Sequence, residues 1–494
     1  MTCCSPRSHI VDSRFFSSGY ATEEARQVFC DLRRLQRWLD VEVALALSQA
    51  ELGAIPESAA CELERTARLE LLDLEAIKAD RARTGHSLIP LLNAWQRIAS
   101  PEAGKYIHFG ATTQDIQDTA QTLEIRDILT IVGRDTTTVI HQLTGLAERY
   151  RDLVMIARTH GQQALPITLG AKIAVWLDEM VRNGNRLCAC QATVLPSQLF
   201  GGVGTMAAFG EQGLELLGRF SARLELSSPL CCWQTARDRL AEMLSTLAIL
   251  TGTLGKIANE ICQLARDEIG ELEEPFHMGK IGSTTMPHKR NPELCEQVVV
   301  LARLVKNTAA LGFEALINEH ERDYRAVRLE WVAVTDASLF TCGALALMQA
   351  ILKNLIVHEE RIRQNVGHAA GLIATEALMF RLAEKMGKQA AHQLLYEISM
   401  EARNTTQRVD GKRGSERRST DMPLVDLLAA NPKINSLFPL EELRQAIDPA
   451  QHVGLAGQLT DRVVQHARDW LVTQGTANIV MASCPLKDTT LCQP

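Results

Sequence analysis

The chain has almost no stretch in which apolar and polar residues alternate, which excludes a protein built from amphipathic strands. Nor do its 13 cysteines show the regular spacing of a disulfide framework. Cys61, Cys262, Cys295 and Cys342 fall in apolar helical patterns and read as reduced core thiols. Cys3 with Cys4, Cys188 with Cys190, and Cys231 with Cys232 lack the histidine or second pair that a zinc site needs, so no metal is expected. Positive charge is not in excess either. The formal charge of -7 provides no basic field for nucleic acid, and any anion must be recognised by local cations. Residues 1–14 contain no apolar core of signal-peptide length, so a cytoplasmic protein is expected. The most apolar run, 331–352, is interrupted by Asp336, Ser338, Thr341 and Gln349, which fits a buried bundle helix rather than a membrane span.

What is present is helical periodicity. Leu32, Leu35, Leu39, Val43, Ala46 and Leu47 make one apolar stripe, closed by Gly53. Residues 245–266 repeat the pattern with Leu247, Leu250, Leu254, Ile257, Ile261 and Leu264. Further long helices are expected over 115–150, 168–192, 292–318 and 329–363. At 494 residues the chain exceeds what one core serves. The expected architecture is therefore all-α, with a central bundle of long helices over 111–365 between helical domains at 1–110 and 366–494. Residues 404–420 turn basic and glycine-containing and read as an exposed loop, and the tail after 475 has little apolar pattern.

One segment departs from this periodicity. Gly282-Ser283-Thr284-Thr285-Met286-Pro287-His288-Lys289-Arg290-Asn291-Pro292 brings hydroxyls, free backbone N–H groups and cations together in a loop, and Lys289 and Asn291 can hold an anion. Four other segments carry polar residues at helix entries or charged faces. They are Arg83-Thr84-Gly85-His86-Ser87, His108 to Asp115, Arg158-Thr159-His160, and Asn318-Glu319-His320-Glu321-Arg322. Thr112, Thr113 and Gln114 open a long helix, where hydroxyls and free amides bind a carboxylate. Arg322 can clamp a carboxylate bidentately, and His160 offers an imidazole able to protonate a leaving nitrogen or oxygen.

Together these segments resemble the fumarase/aspartase superfamily, whose loop runs Gly-Ser-Ser-x-Met-Pro-x-Lys-x-Asn; Thr284 replaces the second serine. The resemblance implies the same three-domain layout and a homotetramer whose sites are shared between subunits. It implies Ser283 as the base, His160 as the acid, and Lys289 with Asn291 as the anion clamp. His86, Thr112, Thr113, Gln114 and Arg322 would grip a small dicarboxylate, with no cofactor. A proton beside a carboxylate is then removed to give an aci-carboxylate, and the group on the next carbon leaves.

Two branches share these features. Residues 110–115, 318–322 and 329–331 look like 3-carboxy-cis,cis-muconate cycloisomerases, whereas Arg158-Thr159-His160 looks like adenylosuccinate lyases. The latter place a serine and an arginine where this chain has Val327 and Trp331, which disfavours a purine nucleotide. The expected reaction is elimination from an amino- or N-substituted succinate to fumarate. The alternatives are lactonisation of a carboxymuconate, adenylosuccinate cleavage, and an inactive structural homologue.

Overall fold

A computed structural model describes residues 9–277, 279–369, 372–410 and 423–481. The long helices form as Thr113–Arg149, Leu169–Val194, Asp238–Leu264, Glu293–Glu314 and Tyr324–Lys353. Asp238–Leu264 packs on Glu293–Glu314, which packs on Tyr324–Lys353, and Thr113–Arg149 joins Tyr324–Lys353 to Leu169–Val194. The seam is apolar because the stripe residues Leu250, Leu254, Ile257 and Ile261 meet Val298, Leu301 and Val305, all with 0% exposure. Gly255 lets two helices approach: a Cβ there would lie 2.9 Å from that of Ala302.

The bundle core also takes in Val11, Ala21, Ala25 and Val28 from the first residues described, and Val464 and Ala467 from the Ala456–Met481 helix. A second core gathers Trp38, Leu39, Leu45, Leu63 and Trp95 with Leu216 and Phe220, and a third gathers Leu378, Leu395, Leu428 and Leu443. Asp238–Leu264 and Tyr324–Lys353 are long and apolar enough to cross a membrane by length and composition, but 67% of the most apolar window of each is buried in this bundle.

Five points depart from these expectations. The helix expected over 329–363 ends at Lys353. Ile356–Val357 pairs antiparallel with Leu272–Glu273, and a separate helix, Glu359–His368, follows. Its continuous apolar run hid the break, because a short paired strand is as apolar as a buried helix. Residues 154–168 form a hairpin, Val154–Thr159 with Gln162–Thr168. Asn404 to Asp410 continue the helix Lys388–Asp410 rather than starting a loop, and the rest of the basic segment lies outside the described residues. The tail after 475 continues as helix to Met481, and beyond that it too lies outside them. Cys61 is exposed, since the Glu57–Thr66 helix buries Ala59, Ala60 and Leu63 instead; Cys295 and Cys342 are buried and Cys262 is half-buried, all unpaired.

Candidate active site

A cavity of about 800 Å³ opens where the Thr113–Arg149 and Tyr324–Lys353 helices begin. Its wall holds Arg81, Gly85, His86, Ser87, Thr112, Thr113, Gln114, Arg322, Tyr324, Arg328 and Trp331, three guanidinium groups and an imidazole with no carboxylate. Of the residues expected in the site, five meet here: His86, Thr112, Thr113, Gln114 and Arg322.

The local chain explains each position. Thr112 is the extended N-cap residue of a long helix, so the first helical N–H groups face its end without intrahelical partners. Its Oγ1 accepts a hydrogen bond from Arg322 Nη1 at 2.6 Å, joining the helix entry to the 318–323 loop. Nδ1 of His86 accepts the N–H groups of Leu88 (3.2 Å) and Ile89 (3.1 Å), capping the next helix. The ring proton of neutral His86 therefore sits on Nε2, a donor suited to an anion. Ser87, Gln117 and Tyr324 form a closed triangle: Gln117 donates to Ser87 Oγ at 2.7 Å and Tyr324 to Gln117 at 3.2 Å.

Gln114 differs from its expected role. It is 1% exposed, and its amide donates to Asp118 Oδ2 at 3.1 Å and to the Gln234 carbonyl at 3.0 Å. Both donors are spent, so it connects the wall to what lies beneath.

Beneath is a buried ion triad that the sequence did not reveal. Arg237 spans Asp118 (2.8 and 3.1 Å) and Glu330 (2.7 Å through Nε), and all three side chains have 0% exposure. Burial raises the Glu330 carboxyl above its ordinary range, against the pull of Arg237. Beside it Asp115 accepts the N–H groups of Phe200, Gly201 and Thr112 at 2.9–3.0 Å, yet burial pushes it up to about 6. Gly110 packs against this corner, where a Cβ would come within 2.6 Å of Phe209.

Ser283, Lys289, Asn291 and His160 are not in this cavity. His160 and Gly161, with φ of 53° and 75°, form the two-residue turn of the 154–168 hairpin, and His160 is exposed at its tip. Arg158, just before the turn, makes a bidentate pair with the buried Glu271 at 2.7 and 2.9 Å, and Asn365 donates to the same carboxylate at 2.9 Å. Glu271 immediately precedes the strand Leu272–Glu273 that leads toward the Ser283 loop. That loop is fastened at Glu274, which accepts from Lys280 Nζ (2.7 Å) and from the N–H groups of Leu294 and Cys295 that open the next helix.

Within the loop, Ser283 Oγ accepts the N–H groups of Met286 at 3.0 Å and Thr285 at 3.3 Å. Asn291 donates to the Gly282 carbonyl at 2.7 Å, and Lys289 is exposed. A Cβ on Gly282 would fall 2.3 Å from the Lys289 carbonyl, so only glycine closes the turn.

The two groups occupy opposite ends of the bundle. The cavity lies at the N-terminus of the 37-residue Thr113–Arg149 helix, which is about 55 Å long. The hairpin leaves the C-terminal end of that helix, and its six-residue first strand spans only about 20 Å. His160 therefore lies toward the opposite end of that helix from Thr112 of the same chain.

A family profile described as "Lyase" matches residues 18–306, and one described as "Adenylosuccinate lyase C-terminus" matches 371–463. The chain is 41% identical to an N-acetyl-S-(2-succino)cysteine lyase of Dickeya dadantii over 460 residues, 93% of this chain and 98% of that one. It is 34% identical to a 3-carboxy-cis,cis-muconate cycloisomerase of Acinetobacter baylyi, covering 92% and 99%. The crystal structure of a fumarate lyase from Mesorhizobium sp. BNC1 superposes with a TM-score of 0.81 at 36% identity, covering 90% and 98%.

Proposed function

The chain belongs to the fumarase/aspartase superfamily of enzymes, and from that premise we propose that it eliminates a thiol from an S-substituted succinate, with N-acetyl-S-(2-succino)cysteine as the substrate. Ser283 takes a proton from the carbon beside one succinyl carboxylate. The C–S bond on the neighbouring carbon then breaks, His160 protonates the departing thiolate, and fumarate and N-acetylcysteine are released. The carboxylate-free cavity carries this reading: a helix N-terminus, His86 Nε2 and Arg322 offer donors to both succinyl carboxylates, and no wall residue repels them.

An unassisted serine is a poor base. Here two backbone N–H groups already point at Ser283 Oγ, and Lys289 and Asn291 share its loop, so a closed loop favours the alkoxide. Because a single chain holds base and acid far from the cavity, the working unit is a homotetramer in which one subunit's cavity receives the loop and hairpin of others. Exposed apolar residues along the bundle, Val175 at 60%, Phe313 at 55% and Val332 at 53%, supply surface for such contacts.

The test follows the ultraviolet absorbance of fumarate after adding N-acetyl-S-(2-succino)cysteine, N-substituted aspartates, adenylosuccinate or 3-carboxymuconate to the purified enzyme. Fumarate is expected from the thioether. Release from an N-substituted aspartate alone would move the leaving group from sulfur to nitrogen, and consumption of carboxymuconate alone would replace elimination by lactonisation.

A further inference from the structure

The cavity carries more positive charge than a succinyl group needs. Arg81 lies in the last turn of the Leu74–Thr84 helix, and Arg328 lies in the first turns of Tyr324–Lys353 with its guanidinium 5.2 Å from the Tyr324 ring centre. Their neighbours on the same helices are neutralised: Arg83 pairs with Asp80, and Arg325 pairs with Asp323 (2.8 Å) and Glu319 (2.9 Å). Arg81 and Arg328 line the cavity and have no carboxylate partner among the described residues. An arginine kept unpaired in a wall without carboxylates is a site for an incoming anion.

The succinyl carboxylates are already provided for by the Thr112–Thr113 helix entry, His86 and Arg322. About 800 Å³ also exceeds what a four-carbon acid fills, since pockets of about 300–1,000 Å³ suit much larger ligands. Trp331 adds a flat apolar wall where the leaving-group chain can lie.

We infer that Arg81 and Arg328 form a third anion subsite that binds a carboxylate carried by the leaving group, so that the enzyme selects substrates with three carboxylates over simple succinates. The inference rests on the succinyl-lyase reading above and narrows it. It assigns Arg81 and Arg328 to specificity and leaves proton transfer to Ser283 and His160.

Two measurements test it. Calorimetric titration of the purified enzyme with succinate and with propane-1,2,3-tricarboxylate should show the tricarboxylate binding about 10-fold tighter or more, as for a charged hydrogen bond. Arg81→Met and Arg328→Met should each narrow that gap, weakening the tricarboxylate far more than succinate. In turnover, replacing the N-acetylcysteine arm by N-acetylcysteamine, which lacks the carboxylate, should raise KM about 10-fold. Equal affinity for the two acids, or variants that keep the gap, overturns the subsite. If no thioether yields fumarate but the titrations still separate the acids, the lyase reading fails and the subsite stands. Equal turnover of both thioethers with no gap in binding removes the subsite and leaves the lyase.

Discussion

Thr112, Gln114 and Arg322 rest on a floor where Asp118, Arg237 and Glu330 are fully buried, whereas His160 and Lys289 are exposed and Ser283 is half-buried at the far end of the bundle. The floor is fixed by ion pairs that water does not reach, and its cost is the desolvation of three charges. The far end is built of turns, fastened at their roots by Glu271 and Glu274 and by the Arg290–Glu273 pair at 3.0 Å. Under the proposed reaction the contrast divides labour: a rigid surface would bind the substrate, and a tethered loop and hairpin would bring the proton chemistry to it. Such a loop can close over substrate and exclude water without disturbing the binding surface.

The largest test of this division removes one half at a time. Ser283→Ala should lower turnover by about 10³-fold or more while changing stability by less than about 0.5 kcal/mol, because the side chain lies in a surface loop. Arg322→Met should also be inactive, through lost binding. Co-refolding the two should then restore activity, since a mixed assembly contains some sites with an intact cavity from one chain and an intact loop from another. Mixtures no more active than their parents would place both halves in one chain's site and break the comparison.

Arg237→Met probes the floor. Two buried carboxylates lose the guanidinium they share, and unfolding in denaturant should show a loss of about 3–5 kcal/mol. An unchanged midpoint would mean that water reaches the triad and that the floor is no stiffer than the loop.

The loop and the helix entries were legible because their chemistry needs fixed residue types in one contiguous stretch. Gly282, Ser283, Lys289 and Asn291 fall within ten positions, and Thr112 to Gln114 are adjacent. Arg237 was not, since Arg237-Asp238-Arg239 reads as a solvated charged helix start, and only the tertiary fold shows that Arg237 faces inward between Asp118 and Glu330. Arg81 and Arg328 were missed for a related reason: each is an exposed residue close to an ion-paired arginine on the same helix, and nothing local tells the pair apart. The hairpin had a usable signal, a His-Gly turn between Val154-Met155-Ile156 and Leu165-Pro166-Ile167, but its strands are too short for alternation to stand out. The proposed sharing of each site between chains was implied by the resemblance alone, and the length of the Thr113–Arg149 helix supports it.

The smallest expected effect concerns the edge of the floor, where His108, at φ 59°, sets its Nδ1 2.6 Å from the buried Glu42 carboxylate. Burial alone would lower the imidazole pKa, but the hydrogen bond and charge of Glu42 outweigh it, and the value rises above the ordinary 6.5. A folded-state pKa above the unfolded one means that the native state holds the proton more tightly. The resulting stabilisation is complete below pH 6.5 and is lost as pH climbs through the raised value. Asp115, pushed from 3.8 up to about 6, acts with the same sign in a lower window, its contribution fading between those two values. The two windows barely overlap, so a single substitution separates them. Thermal midpoints of the wild type should fall as pH rises above 6.5, and His108→Gln should flatten that branch while keeping the slope below pH 6. Parallel curves for the two proteins above pH 6.5 would mean that His108 is neutral in the native state. The contact with Glu42 would then be an ordinary hydrogen bond, and the corner would depend on the packing of Gly110 against Phe209 instead.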